Sequence, residues 1–247
     1  MKIYDTLIIG SGYFSAGYAS FLQDTIICEE HQICDTSFYL PLKSFAYKPY
    51  FPKTEEGTRL FDIYQSLALF KDGEQNTNGF EFAFCKYITE NGINILLKCR
   101  VIRVKEQENG IFDVTIQTNE GLNHLFAKKI INTTNEPKKK YFTVLFICND
   151  IEKEKDKLLS LFSGAQIEPA FYKGRYAIHI PAYDTDENLI KLEVYKKWKT
   201  LSTNAQILYM APVFYGEANA DKRFDGNYNN PIEAFESGYL YAKENNK

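Results

Sequence analysis

The chain has 247 residues, of which 45% are hydrophobic and 25% charged, with a formal net charge of −3. That is enough apolar material for one large domain, or for one domain with a small insert. The slightly acidic balance advertises no basic surface, so nucleic acid is not expected as a partner. No apolar run approaches the roughly 18 residues that cross a membrane. The N-terminus enters a strand pattern at once, which argues against a signal peptide. The cysteines are Cys28, Cys34, Cys85, Cys99 and Cys148, an odd number with no C-x-x-C pair. Reduced cytoplasmic thiols are expected, not a disulfide framework or a zinc site. His31, His124 and His179 have no metal-ligand spacing, so no metal is expected.

The first element carries the most information. Thr6 to Leu22 reads TLIIGSGYFSAGYASFL, and IICEE follows at Ile26–Glu30. The order is a short buried strand, a glycine turn, a helix, a second strand and an acidic end. This is the opening of a nucleotide-binding βαβ unit. Gly10 allows the sharp turn, and Gly12 has no Cβ, so a pyrophosphate can approach the backbone. The helix beginning near Tyr13 points its N–H groups and positive dipole end at that phosphate. Ser15 stands where the third glycine of the pattern usually lies, and it is small enough for close helix–strand packing. Glu29 lies where such folds accept hydrogen bonds from a ribose hydroxyl.

Residues 36–79 lack a clean period. Ser37 to Phe51 is aromatic and proline-interrupted, which predicts an ordered loop lying on other structure. Phe80, Ala83, Phe84, Tyr87 and Ile88 then follow a helical period and end at Asn91-Gly92. Ile95–Val104 alternates loosely. Asn109-Gly110 predicts a hairpin, and Phe112, Val114 and Ile116 alternate as a strand. Asn119-Glu120-Gly121 turns again, giving three antiparallel strands. Lys129–Ile131 then returns as a separate short apolar strand. Residues 141–148 read as a strand, Ile151–Phe162 as a charged helix, and Tyr176–Ile180 as a strand. Leu189, Leu192, Tyr195 and Trp198 mark an amphipathic helix. Val213–Tyr215 is a last short strand ending at Gly216-Glu217. Pro231 opens a closing helix with Ile232, Phe235, Tyr239 and Ala242 as its buried stripe.

Taken in this order, the pieces resemble the FAD-dependent oxidoreductases of the two-dinucleotide-binding-domain type, the group with glutathione-reductase-like and amino-acid-oxidase-like flavoproteins. Four motifs carry the resemblance. The first is the turn of Gly10, Gly12 and Ser15 with Glu29. The second is the helix, Asn91-Gly92 and strand leading to Val101, where the family binds adenine through the backbone. The third is the return to IINTTN, which is similar to the family's strand ending in Ala-Thr-Gly. The fourth is VFYGEAN followed by NPIEAFESGYLYA, which looks like the family's Gly-Asp strand and its following helix. The chain departs from the pattern at Ser15, at Asn135 in place of a glycine, and at Glu217 in place of an aspartate. It also has His31–Thr36 where the family often has a Gly-Gly segment.

The resemblance implies an α/β fold: a Rossmann-like FAD-binding domain with a three-stranded antiparallel meander and a small inserted α+β cap. Residues 1–35, 80–137 and 205–247 would form the FAD-binding domain, and 36–79 with 138–204 the cap. The implied cofactor is FAD, held by Gly10, Gly12, Tyr13, Ser15, Glu29, Val101, Thr133, Thr134, Asn135, Gly216, Glu217 and Ile232. The implied activity is oxidation of a small organic substrate by hydride transfer to the flavin. The N-terminus of the Pro231 helix would stabilise charge on the reduced flavin. No second glycine-rich nucleotide motif is present, which favours an oxidase or dehydrogenase plan. With so small a cap, the site is either open or covered by a second subunit of a homo-oligomer. No catalytic residue declares itself; His179, Lys43 and Tyr176 are the candidates, with Tyr39, Tyr47 and Tyr183 as further pocket tyrosines. Cys34 has no partner at dithiol spacing, so dithiol chemistry is not expected there. The alternatives are a non-catalytic or degenerate FAD- or NAD-binding module, and an NAD-dependent enzyme using Glu29.

Overall fold

The computed structural model describes residues 2–31, 44–46, 50–71, 74–76, 79–134, 140–170, 172–182, 186–201, 203–210, 215–216, 228 and 230–246. In chain order the first part holds β1 (Ile3–Ile9), α1 (Tyr13–Phe21), β2 (Thr25–Cys28), β3 (Ser44–Ala46), α2 (Glu55–Ser66), β4 (Phe70–Lys71), β5 (Glu74–Asn76) and α3 (Phe80–Glu90). It continues through β6 (Asn94–Leu96), β7 (Arg100–Glu106), β8 (Phe112–Thr118) and β9 (Gly121–Asn132). The second part holds β10 (Lys140–Ile147), α4 (Ile151–Leu161), β11 (Gln166–Pro169), β12 (Arg175–Ala182), α5 (Glu187–Thr200), β13 (Gln206–Met210), β14 (Tyr215–Gly216) and α6 (Pro231–Asn245).

The first sheet has the order β6-β2-β1-β9-β8-β7. β6, β2, β1 and β9 are parallel neighbours, whereas β9, β8 and β7 pair antiparallel. β9 therefore serves both halves: Ala127 pairs with Tyr4 on one side and with Phe112 on the other. The expected separate strand at Lys129–Ile131 is only the far end of β9. No glycine or proline lies between Leu122 and Asn132, so nothing breaks the extended backbone there.

β6 and β7 are consecutive in sequence but occupy opposite ends of that order. Laid flat, six strands would separate their outer edges by about 24 Å. The link from Leu96 to Arg100 spans about 14 Å at full stretch. The sheet must curl until its two edges approach. The link passes through Lys98 at φ 52°. It is tied down where the Lys98 N–H donates to His31 O at 2.9 Å and the Cys99 N–H to Glu29 O at 2.8 Å. Leu7, Ile26, Cys28, Cys99, Val114, Ile116 and Ala127 fill the interior of the curl. The loose alternation expected across Ile95–Val104 is thus two strands, one for each edge.

The helices cover the other side. Ile8 and Ile27 pack with Phe14, Tyr18 and Ala242, joining the sheet to α1 and α6. α1 and α6 touch backbone to backbone. A Cβ on Gly17 would lie 1.8 Å from Phe235 O, and one on Gly238 would lie 2.0 Å from Phe14 O. Each helix has a glycine where the other's carbonyl must fit.

Most of the loop expected at Ser37–Phe51 lies outside the described residues, while the stretch 36–79, which shows no clean period in the sequence, contains a helix, α2. Thr54 caps it by accepting from Gly57 N–H, Glu55 and Glu56 suit its first turn, and Leu60 and Tyr64 are buried. The spacing of Gly57, Leu60 and Tyr64 was a helical signal hidden behind the aromatic segment. The buried carboxylate of Glu236 on α6 anchors this helix. Its Oε1 accepts from Lys53 N–H at 2.7 Å, Thr54 N–H at 2.6 Å and Thr54 Oγ1 at 2.7 Å, and its Oε2 from Tyr50 OH at 2.6 Å.

The second sheet has the order β11-β12-β10-β13, with β14 also on β10. β13 and β14 were grouped from the sequence with the first domain, but they pair here with β10. α4 and α5 cover one face, where Phe142, Val144, Phe146 and Ile178 meet Leu158, Ile190, Val194 and Trp198. The expected stripe of α5 is displaced. Leu189, Leu192 and Tyr195 are 55%, 49% and 48% exposed, while Ile190, Val194 and Trp198 face the sheet. Two apolar stripes share Trp198, and the one spaced four residues apart wins the core. The Trp198 Nε1–H also donates to Ala205 O at 3.1 Å.

Gly238→Ala is expected to destabilise the protein by more than about 3 kcal/mol, because backbone rather than a flexible side chain must give way. Urea denaturation of the two proteins checks this.

Candidate nucleotide site at the end of the parallel strands

The turn after β1 is built on Gly10, whose φ of 97° excludes an ordinary side chain. Its N–H donates to Cys28 O at 2.8 Å, tying the turn to the end of β2. A Cβ there would stand 2.9 Å from Thr133 Oγ1. Thr133 binds the turn from beyond β9. Its N–H donates to Ile9 O at 2.8 Å, and its hydroxyl donates to Ile9 O at 2.9 Å and Gly10 O at 3.1 Å. Ser15 Oγ lies 2.7 Å from Thr133 Oγ1. Because the threonine proton is used on the carbonyls, Ser15 is the donor. The serine at the third glycine position thus replaces bare close packing with a hydrogen bond.

Gly12 is the N-cap of α1, with φ −70° and ψ 175°, and its carbonyl accepts from Ala16 N–H at 3.1 Å. Gly12 has no side chain to cap the helix with, and no acidic residue lies in the first turn of α1 itself. The positive dipole end of a helix suits an anion. The Tyr13 side chain packs into the core. It is fully buried, its hydroxyl pairs with that of Tyr64, and its ring lies 4.2 Å from that of Phe84.

Glu29 follows β2 and is buried. Its Oε2 accepts from both Ser11 N–H and Ser11 Oγ at 2.9 Å. Its Oε1 accepts from His31 N–H at 2.8 Å and lies 2.7 Å from His31 Nδ1. Those four contacts match the roughly four acceptor positions of a carboxylate. Burial alone would raise the Glu29 carboxyl, but its bonds to His31 and Ser11 hold it below the ordinary 4.5.

The remaining expected residues are dispersed. Val101 is half-buried in β7 beside a bulge and pairs with Ile116. Thr134 is exposed and donates through N–H and Oγ1 to Asn132 Oδ1. Gly216 lies in β14, opposite Lys140 of the second sheet. Ile232 is buried among the helices, and its N–H donates to Asn230 Oδ1 at 2.8 Å. The N-terminus of α6 is therefore capped by a side chain. Asn135, Glu217, Lys43, Tyr39, Tyr47, Tyr183 and Cys34 lie outside the described residues.

His179 is in β12, buried, with Nδ1 2.9 Å from Thr143 Oγ1 and Nε2 3.9 Å from Glu168 Oε2. Tyr176 stacks on Phe146 at 5.7 Å, with the residues that meet α4 and α5. His179 lies three residues further along a strand, so it points to the opposite face. The two candidates cannot serve one site. Sequence reasoning missed Ser11 and His31 on Glu29, and Thr143 and Glu168 beside His179. Only His31, two residues from Glu29, was close enough in sequence to be legible.

Among the described residues, no three His, Cys, Asp or Glu side chains are placed to hold a metal ion, and no helix is long and apolar enough to cross a membrane.

A folded value below the unfolded one means that Glu29 stabilises the fold above about pH 4.5, and that this stabilisation is lost as the pH falls through the lowered value. Glu29→Gln is expected to cost about 1–3 kcal/mol at neutral pH and to flatten the fall in stability below about pH 4.5. Urea denaturation across the acid range checks both.

No family model matches the sequence. No curated protein matches it either. Solved structures do. A geranylgeranyl bacteriochlorophyll reductase-like protein of Thermoplasma acidophilum superposes with a TM-score of 0.56 at 13% identity, covering 98% of this chain and 78% of that one. Aklavinone-11 hydroxylase in complex with FAD and aklavinone gives 0.54 at 11% identity, over 98% of this chain and 62% of its own. Glycine oxidase of Bacillus cereus gives 0.52 at 15% identity, over 98% and 94%. The chain spans only 53% of the length of a further neighbour, a protein studied for oxidation in BE-7585A biosynthesis. At these identities the likeness is one of fold, and the chain has the Rossmann-like α/β fold that these structures share.

Proposed function

We propose that the chain binds FAD and acts as an FAD-dependent oxidoreductase on a small organic substrate. The observation that carries this reading is the Gly10 turn, locked by Thr133 and Ser15 at the head of α1. The fold shared with a hydroxylase, a reductase-like protein and an oxidase supports it. Hydride transfer from the substrate is the finer part of the proposal; an oxidase or dehydrogenase type is not what the neighbours favour, since monooxygenases are the common ones among them.

The residues present fit the cofactor at the pyrophosphate. Gly10 lets the chain turn there, and the first N–H groups of α1 would supply donors. Glu29 would take the ribose hydroxyls once Ser11 or His31 yields an oxygen. Val101 would meet the adenine through its backbone. FAD, when bound, supplies two-electron redox chemistry. Within the second sheet, His179 is the group suited to hold or pass a proton, with Thr143 orienting its Nδ1.

The closed state of Glu29 favours a second reading, a nucleotide-binding module without catalysis. An absorption spectrum of the purified protein, followed by FAD titration, separates the two. Flavin bands that bleach with a substrate support the enzyme. Bound flavin that no metabolite reduces supports the module. A colourless protein that takes up no FAD sinks the flavin reading.

Gly12→Val is expected to weaken FAD binding by more than about tenfold, or about 1.4 kcal/mol. Valine can adopt the φ and ψ found at Gly12, so the variant should keep its fold by circular dichroism. Unchanged affinity by fluorescence titration would show that no pyrophosphate approaches this turn.

A further inference from the structure

The acceptor positions of Glu29 are filled in a regular way. Each carboxylate oxygen meets one main-chain donor and one side-chain donor of the same residue. Oε2 accepts from Ser11 N–H and from Ser11 Oγ, both at 2.9 Å. Oε1 accepts from His31 N–H at 2.8 Å and lies 2.7 Å from His31 Nδ1. An ionised carboxylate only accepts, so Nδ1 carries the hydrogen.

The main-chain donors are fixed from both sides. Ser11 stands between Gly10, whose N–H holds Cys28 O, and Gly12, whose carbonyl opens α1. The carbonyl of His31 accepts from Lys98 N–H at 2.9 Å. Neither N–H can leave Glu29 without moving the glycine turn or the link that closes the sheet. The side chains can turn while the main chain stays. Ser11 is 2% exposed, so its hydroxyl turns within the interior. The His31 side chain is 44% exposed, against 8% for Glu29, so the ring lies on the solvent side of the carboxylate.

We propose that the His31 ring is a displaceable stand-in for a ribose hydroxyl. A ribose cis-diol takes the two side-chain positions on Glu29, one on each oxygen, while both main-chain donors remain and the ring turns out to water. This inference deepens the FAD reading and rests on it. A cis-diol fits because it offers two adjacent O–H donors to the two oxygens of one carboxylate. The Ser11 hydroxyl yields by rotating. The His31 ring must yield its place as well as its bond, because a 2.7 Å contact leaves no room for a hydroxyl between. Without a ligand, the ring keeps a buried carboxylate satisfied. With one, it lowers affinity, since a hydrogen bond to a charged group must first be broken. A ring that merely flanked the bound ribose would have the opposite effect, and its removal would weaken binding.

FAD is titrated into the unsubstituted protein and into His31→Ala, with binding read by flavin fluorescence. Histidine ring ¹⁵N signals of the unsubstituted protein are followed over the same titration. The chain has three histidines, so the signals missing from His31→Ala identify His31. His31→Ala is expected to bind FAD about tenfold more tightly. The His31 Nδ1 signal is expected to move to that of a ring in water as FAD saturates. FAD uptake by His31→Ala alone would also support the inference. Equal or weaker binding by a folded His31→Ala would overturn it and leave the FAD reading intact. So would a His31 Nδ1 signal unmoved at saturation, and this signal decides alone if the variant does not fold. If neither protein takes up FAD, the inference and the FAD reading fall together.

Discussion

The structure depends first on how closely α1 and α6 approach. α1 carries the turn of the candidate site on its N-terminus, and α6 comes from the far end of the chain. They meet through Gly17 and Gly238, each receiving a main-chain carbonyl of the other helix. This is a steric constraint more than an attraction: a methyl group on either glycine would occupy a carbonyl's place. Because α6 is seated so closely, Glu236 reaches the N-terminus of α2 and satisfies groups that would otherwise be buried unpaired. Three separated segments are thus fixed around the turn that Gly10 makes.

The second constraint is the curl of the sheet. Only the short link Leu97–Cys99 joins strands at opposite edges of a six-strand order. Closing those edges brings Cys99 against the carbonyl of Glu29 and puts Cys28 and Cys99 in one interior. The acidic end of β2 therefore belongs to two systems. Its carboxylate faces Ser11 and His31, while its carbonyl holds the link that carries Cys99.

Departures from a familiar pattern are resolved locally. Ser15 in place of a glycine would be a loss if the position required only closeness. Its hydroxyl instead reaches Thr133, which holds the carbonyls of Ile9 and Gly10. Glu29 shows the opposite case. The residue lies where a ribose would be met, yet Ser11 and His31 use its oxygens. Under the proposed reading a nucleotide would compete with contacts inside the protein, and its affinity would depend on those neighbours as much as on the acid.

The sequence by itself determined the elements whose signals are local. β1, the Gly10 turn, α1 and β2 were legible because a buried strand, a glycine and an acid fall within thirty residues. α3 and α6 were legible from their apolar period and from Asn91-Gly92 and Pro231. Only the tertiary structure decided what depends on residues distant in the chain. The continuity of β9 follows from having partners on both sides. The choice of Ile190 and Val194 over Leu189 and Leu192 follows from which stripe meets the second sheet. The burial of Tyr13, the separation of Tyr176 from His179 and the placing of Cys28 and Cys99 in one interior belong to the same class. Periodicity and turn chemistry act over a few residues, whereas register, facing and curl are set by pairing between segments that a single sequence does not show to be neighbours.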